Sequence, residues 1–169
     1  MNLQKWKLWL VIFDCDGVLV DSEPIAVELL LEMISAAGGE ITREAAYERF
    51  LGCSLSKIVA ELEDHHQITV TAGLLESMRV GLYERFKQEL QPIHAVGEAL
   101  SRLEQPFCVA SSSQPERIRL SLSLTGLADR FASNIFSATM VRHGKPAPDL
   151  FLHAAAQMGV EPHACVVVE

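Results

Sequence analysis

Residues Leu8 to Phe13 form an unbroken apolar run that stops at Asp14, followed by a second acid at Asp16 and a glycine at Gly17. An apolar run without polar alternation is how a strand buried on both faces of a parallel sheet reads. Acids stationed where such a strand ends lie at the carboxyl edge of an open α/β sheet, where ligands usually bind. Two carboxylates so close together repel each other in a low-dielectric pocket. A bound cation, or a chemical step that needs both, offsets that cost. The same residues also suit an Asp-rich turn, in which Asp14, Asp16 and Gly17 serve loop geometry alone. The remainder of the chain decides between the two readings.

After Asp21 the pattern turns helical. Ser22 is placed as an N-cap, Glu23 and Pro24 suit a first turn, and Ala26, Leu29, Leu30, Met33, Ile34 and Ala37 recur at helical spacing until Gly38-Gly39. A second helix is expected from the Thr42 cap to Leu51, stopped by Gly52. A third, capped by Ser54 or Ser56, runs through Glu63. A fourth starts at Thr71 with Leu74, Met78, Leu82, Phe86 and Leu90 on one stripe. Residues 20–91 therefore read as nearly all helix, and Pro92 marks the exit.

Beyond it, short apolar runs alternate with helical stretches: a helix at Ala95 to Leu103, a strand at Phe107 to Ala110, and a helix between Pro115 and Gly126. A strand at Ile135 to Ala138, a helix at Asp149 to Met158 and a strand at Cys165 to Val168 follow. Alternation of this kind means a doubly wound parallel sheet, because parallel neighbours need crossover connections. The expected organisation is an α/β core made of residues 1–19 and 93–169, with a small all-helical domain inserted at 20–92.

Bulk properties limit the partners. A chain of 169 residues with 49% hydrophobic and 21% charged residues can bury a real core. Its net charge of −8 argues against nucleic acid and anionic membrane as partners, and requires that any anionic substrate meet a locally positive site. No run is long enough for a transmembrane helix. The basic, apolar N-terminus leads straight into DCDG without a small-residue cleavage site, which reads as a strand in a cytoplasmic protein. Cys15, Cys53, Cys108 and Cys165 show no C-x-x-C spacing and three adjoin strand-like runs, so buried free thiols are expected.

The residues that end each strand form the candidate site. The first strand ends in Asp14 and Asp16, the second in Ser111, the last in Glu169, and the loop after the third carries Lys145. In a parallel sheet these ends share one edge. Taken singly, Ser111 to Ser113 read as a polar turn and Lys145 as a solvated surface charge. Together, carboxylates that suit a hard cation and Lys and Ser that suit phosphate oxygens point to metal-assisted phosphoryl chemistry.

These residues resemble a known family. DCDGVLVD at Asp14 to Asp21, Ser111 after FCVA, Lys145 in GKPAPD, and VVVE at 166–169 are similar, in order, to the four motifs of the haloacid dehalogenase-like (HAD) superfamily. The helical insertion resembles its small cap domain. Within the superfamily the likeness is to the sugar-phosphatase and β-phosphoglucomutase branch, 6-phosphogluconate phosphatase-like proteins included. The resemblance implies an Mg²⁺-dependent phosphatase acting on a small phosphorylated metabolite, with Asp14 as nucleophile forming an aspartyl-phosphate and Asp16 as acid and base. It further implies Ser111 and Lys145 as phosphoryl holders, and metal binding by Asp14, the Asp16 carbonyl and Glu169. Gly17 and Ser112 are expected at the phosphate, and Glu23 and Arg49 as substrate-choosing residues of the cap. A monomer is the expected state of a full-length relative.

The family's fourth motif continues with an Asp after the position of Glu169, and with further sheet and helix, where this sequence stops. The expectation is weak Mg²⁺ binding, poor turnover and a sticky last strand. A phosphosugar mutase and a catalytically inert chain are the alternative readings. His65 and His66 are adjacent and diverge by about 100° on a helix, which makes a poor metal pair. His143 is assigned no role.

Overall fold

The protein, seen in a computed structural model that describes residues 9–53 and 55–169, is built on four strands: β1 (Leu10–Phe13), β2 (Phe107–Ser111), β3 (Ile135–Ser137) and β4 (Cys165–Val168). They pair in the order β3-β2-β1-β4, and every pairing is parallel. Register is set by Ile12 opposite both Cys108 and Val167, and by Ser111 opposite Ser137. The expected α/β architecture with a helical insertion is therefore the observed one. The start of the first apolar run, at Leu8, lies outside the described residues.

Two compact units divide the chain, Met1–Val20 with Gln91–Glu169, and Asp21–Leu90. In the first unit, one face of the sheet packs Leu10, Ile12, Cys108, Ala110 and Phe136 against Leu150 and Ala154 of helix α8 (Asp149–Gln157). The opposite side of the sheet is met by α6 (Pro115–Leu124) and α7 (Ala128–Phe131). Alternate side chains of a strand point to opposite faces, so helices on both sides demand apolar residues at every strand position. That is why β1 reads LVIF without alternation. The last strand differs, for it is an edge strand, and Val166, Val167 and Val168 are 41%, 37% and 37% exposed.

The second unit is helical throughout: α1 (Glu23–Ala36), α2 (Arg43–Phe50), α3 (Leu55–His66) and α4 (Ala72–Glu89). Val27, Leu30, Ile34, Ala46, Phe50 and Leu62 form its core. Thr42 and Thr71 cap as expected, accepting from the N–H groups of Ala45 and Leu74.

Three expectations are corrected. Ser22 is fully buried and in helical conformation, and its side chain makes no capping bond to α1, so burial has replaced the solvent-facing cap geometry. The third helix runs to His66 rather than Glu63, which puts Ser56 inside it, and Ser54 lies outside the described residues. The short helix α7 was not expected. A further helix, α5 (Val96–Arg102), precedes β2, and two 3-10 turns, Ala138–Met140 and Pro162–Ala164, follow β3 and precede β4. Among the described residues no helix is long and apolar enough to cross a membrane.

Candidate active site at the carboxyl edge of the sheet

Where β1 ends, the chain turns sharply. The Cys15 carbonyl accepts from the N–H groups of Leu19 and Val20 at 2.9 and 3.1 Å, and the Gly17 N–H donates to the Val20 carbonyl at 2.9 Å. Gly17 sits at φ 75°, a region that penalises a Cβ, so glycine is what allows the turn. The turn leaves Asp14 and Asp16 at the carboxyl end of β1 with their side chains 21% exposed each.

Asp14 is held from several directions. Its N–H donates to the Val168 carbonyl of β4 at 2.9 Å. Its Oδ1 accepts from the Cys15 N–H at 2.6 Å, and its Oδ2 lies 3.0 Å from Lys145 Nζ. Burial pushes the Asp14 carboxyl above its ordinary value; the Lys145 ammonium and the Cys15 N–H pull it back, and the charge of Asp16 adds to the rise. Lys145 is in the loop between β3 and α8, its side chain only 13% exposed. Its Nζ also reaches Glu169 Oε1 at 2.8 Å and lies 5.0 Å from the centre of the Phe151 ring. One ammonium thus bridges two carboxylates delivered by adjacent strands.

Asp16 has different company. Its Oδ2 accepts from the Ser113 hydroxyl at 2.7 Å, and its Oδ1 accepts from Arg117 Nη2 at 2.8 Å. Ser111 is buried at the end of β2, and its hydroxyl accepts from the Ser113 N–H at 3.1 Å. Ser137, at the end of β3, donates from its hydroxyl to the Ser113 carbonyl at 2.7 Å. Ser112 stands exposed on the same loop.

The structure therefore brings Asp14, Lys145 and Glu169 into one group, with Asp16, Ser111 and the loop carrying Ser112 along the same sheet edge. Glu23 and Arg49 lie in the helical unit, where Arg49 pairs with Glu61 at 2.8 Å, an ion pair within that unit. Ser113, Arg117 and Ser137 were not singled out as site residues. The sequence carries one signal for Arg117: a cation in the first turn of a helix, where the dipole favours anions.

The donor set suits a small hard cation. Asp14 and Glu169 supply carboxylate oxygens of the kind Mg²⁺ takes, commonly one or two completed by substrate phosphate and water, and here both flank the Lys145 ammonium, at 3.0 and 2.8 Å. Among the described residues no three His, Cys, Asp or Glu side chains converge on one point.

Two acids from the end of one strand, an acid from its neighbour and a buried lysine thus gather at the carboxyl edge of the sheet, where open α/β sheets bind their ligands. Residues 10–169 match the family model of haloacid dehalogenase-like hydrolases, and the chain belongs to that family. It is similar to 6-phosphogluconate phosphatase of Escherichia coli, with 31% identity over 160 residues, covering 94% of this chain and 72% of that protein. Among solved structures, it is similar to a haloacid dehalogenase-like protein of Agrobacterium tumefaciens, with 41% identity and a TM-score of 0.82, covering 94% of this chain and 72% of the other. A HAD family hydrolase of Deinococcus radiodurans, solved with bound phosphate and sodium, is 29% identical with a TM-score of 0.75 over 94% of this chain and 70% of the other.

Proposed function

We propose that the chain hydrolyses phosphomonoesters of small metabolites, sugar phosphates first among them, through an aspartyl-phosphate on Asp14. The observation that carries this reading is the contact of Asp14 Oδ2 with Lys145 Nζ at 3.0 Å, with Asp16 two positions further along the same turn. The family match and the phosphatase relative support it.

A nucleophilic carboxylate must meet an anionic phosphoryl group, a repulsion of about 4 kcal/mol between unit charges at contact range and intermediate dielectric. The Lys145 ammonium opposes that repulsion and orients the phosphoryl oxygens, assisted by the Ser111 hydroxyl. Asp14 Oδ then forms a bond to phosphorus as the bond from phosphorus to the ester oxygen breaks. Asp16 gives its proton to the departing oxygen. In the second half, Asp16 takes a proton from water, the water oxygen bonds to phosphorus, and the bond to Asp14 breaks, releasing inorganic phosphate. Gly17 and Ser112 present backbone to the phosphate, where a Cβ at Gly17 would stand in the way. Asp14, the Asp16 carbonyl and Glu169 would hold Mg²⁺, which supplies charge neutralisation when bound. Glu23 and Arg49 are assigned to substrate choice.

The test is inorganic phosphate release from p-nitrophenyl phosphate, 6-phosphogluconate and hexitol phosphates in the presence of Mg²⁺. The expected result is turnover by the wild type and its abolition by Asp14→Asn. An Asp14→Asn protein as active as wild type overturns the nucleophile assignment, and a folded wild type inert on every ester overturns the reading.

A further inference from the structure

The two oxygens of Asp16 are both claimed by donors from a single stretch of chain. Ser113, two residues past the end of β2, donates to Oδ2 at 2.7 Å, and Arg117, in the first turn of α6, donates to Oδ1 at 2.8 Å. From this geometry we infer that Arg117 and Ser113 form a clamp that fixes the Asp16 side chain in one rotamer, making both of them positioning residues for its proton transfers. The inference rests on the phosphatase reading for its consequence in catalysis, though the clamp itself is a statement about structure.

The residue types argue for a purpose. Helix α6 begins at Pro115, so Arg117 places a cation at the end of the helix dipole that favours anions, one residue after Glu116, which suits that end. A local preference broken in this way calls for a compensating contact elsewhere, and the Asp16 carboxylate provides it. Neither side chain is freely solvated, at 26% and 21% exposure, so the pair is more than a loose surface contact.

Ser113 is itself held. Its N–H donates to the buried Ser111 hydroxyl and its carbonyl accepts from the fully buried Ser137 hydroxyl, which ties the loop to the ends of β2 and β3. The main chain of Asp16 is fixed on the other side by its bridge to Val20 and by the Gly17 to Val20 hydrogen bond. Rotation about χ1, which has other staggered wells available, is opposed by the two bonds to the carboxylate. The clamp removes that freedom.

The two arms differ in chemistry. A guanidinium only donates, whereas a hydroxyl can turn and accept. The Arg117 arm is therefore a fixed donor to Oδ1, whereas the Ser113 arm at Oδ2 can reverse its direction.

The experiment measures kcat and KM with p-nitrophenyl phosphate and Mg²⁺ for wild type, Arg117→Ala, Arg117→Lys and Ser113→Ala, beside crystal structures of wild type and Arg117→Ala. The expected result for Arg117→Ala is a kcat lower by about a hundredfold, the scale of a displaced catalytic group, with KM changed by less than about threefold against that loss. Arg117→Lys should recover part of it, Ser113→Ala should lose less than Arg117→Ala, and the Asp16 side chain should leave its wild-type rotamer. A folded Arg117→Ala with wild-type kcat, a loss confined to KM, or an Asp16 that stays in place overturns the clamp. If Arg117→Ala does not fold, wild-type kcat in both Arg117→Lys and Ser113→Ala overturns it equally. A wild type without activity removes the phosphatase reading alone, and the rotamer comparison still decides the clamp.

Discussion

Lys145 Nζ lies 3.0 Å from Asp14 Oδ2, and this contact, together with the Cys15 N–H, opposes the burial that otherwise drives Asp14 toward its protonated form. In the metal-free protein Asp14 is expected to titrate above the ordinary value of 3.8. Replacing Lys145 by Met removes the positive charge that faces Asp14, so the titration should move further up. Carbon-13 NMR of the aspartate carboxyls measures both. A Lys145→Met protein in which Asp14 titrates below its wild-type position would contradict the role given to the lysine.

The same shift has a consequence for stability, with its sign set by linkage. The Asp14 carboxyl is raised in the folded state, so the folded protein binds its proton more tightly than the unfolded chain does. Ionised Asp14 therefore weighs against folding above its folded pKa. That penalty fades as pH falls toward 3.8 and is absent below it. Asp14→Asn, which mimics the neutral form, should be more stable than wild type at pH 7, with the difference shrinking on acidification. Urea denaturation at a series of pH values checks it, and a stability gap that widens toward acid refutes the sign.

Phe131 tests the side of the sheet away from α8. It is fully buried, with its ring 5.1 Å from that of Phe107 at 76° and 6.5 Å from that of Phe13 at 81°. Edge-to-face neighbours on two adjacent strands leave no small group to collapse into the space, so Phe131→Ala should cost about 3–5 kcal/mol. Arg49→Ala removes an exposed ion pair with Glu61 and should cost less than about 1 kcal/mol. Chemical denaturation of the two variants compares them directly. Equal losses would mean that the aromatic cluster holds much less than its burial implies.

Phe131 also shows where sequence reading stops. Its helix, Ala128–Phe131, is one turn long, too short for any apolar period to register. The β1 and β4 strands were legible because helices on both faces, or an apolar edge, leave no polar positions to interrupt LVIF and CVVV. Thr42 and Thr71 were legible as caps because the bond they make is local, reaching only three residues ahead. Ser22 has the same residue type and the same place before a helix, yet it is buried and does not cap. Tertiary packing decided that case. Asp14, Ser111, Lys145 and Glu169 could be gathered because strand ends in a parallel sheet share an edge. The Arg117 to Asp16 contact could not, since it joins a helix turn to a strand end across 101 positions with no periodicity linking them.

The four cysteines separate by environment, and one of them, Cys15, sits within the candidate site. Cys15 lies between the two acids and is fully enclosed; burial, then the charges of Asp16 and Asp14, push its thiol far up. Burial likewise pushes the Cys108 thiol up to about 12. Only the thiolate reacts at a useful rate, so at pH 8 a thiol of that kind is ionised in roughly one molecule in ten thousand. Cys53 and Cys165 are half-buried, which corrects the expectation that the strand cysteine Cys165 would be enclosed; what burial it has still raises its thiol. Iodoacetamide at pH 8 should therefore label Cys53 first, Cys165 more slowly, and Cys15 and Cys108 not at all until urea unfolds the chain, after which all four react. Peptide mass spectrometry reads the order. Labelling of Cys15 in the folded protein at the rate of Cys53 would mean that the turn around Asp14 and Asp16 opens, and that neither acid is held where the structure puts it.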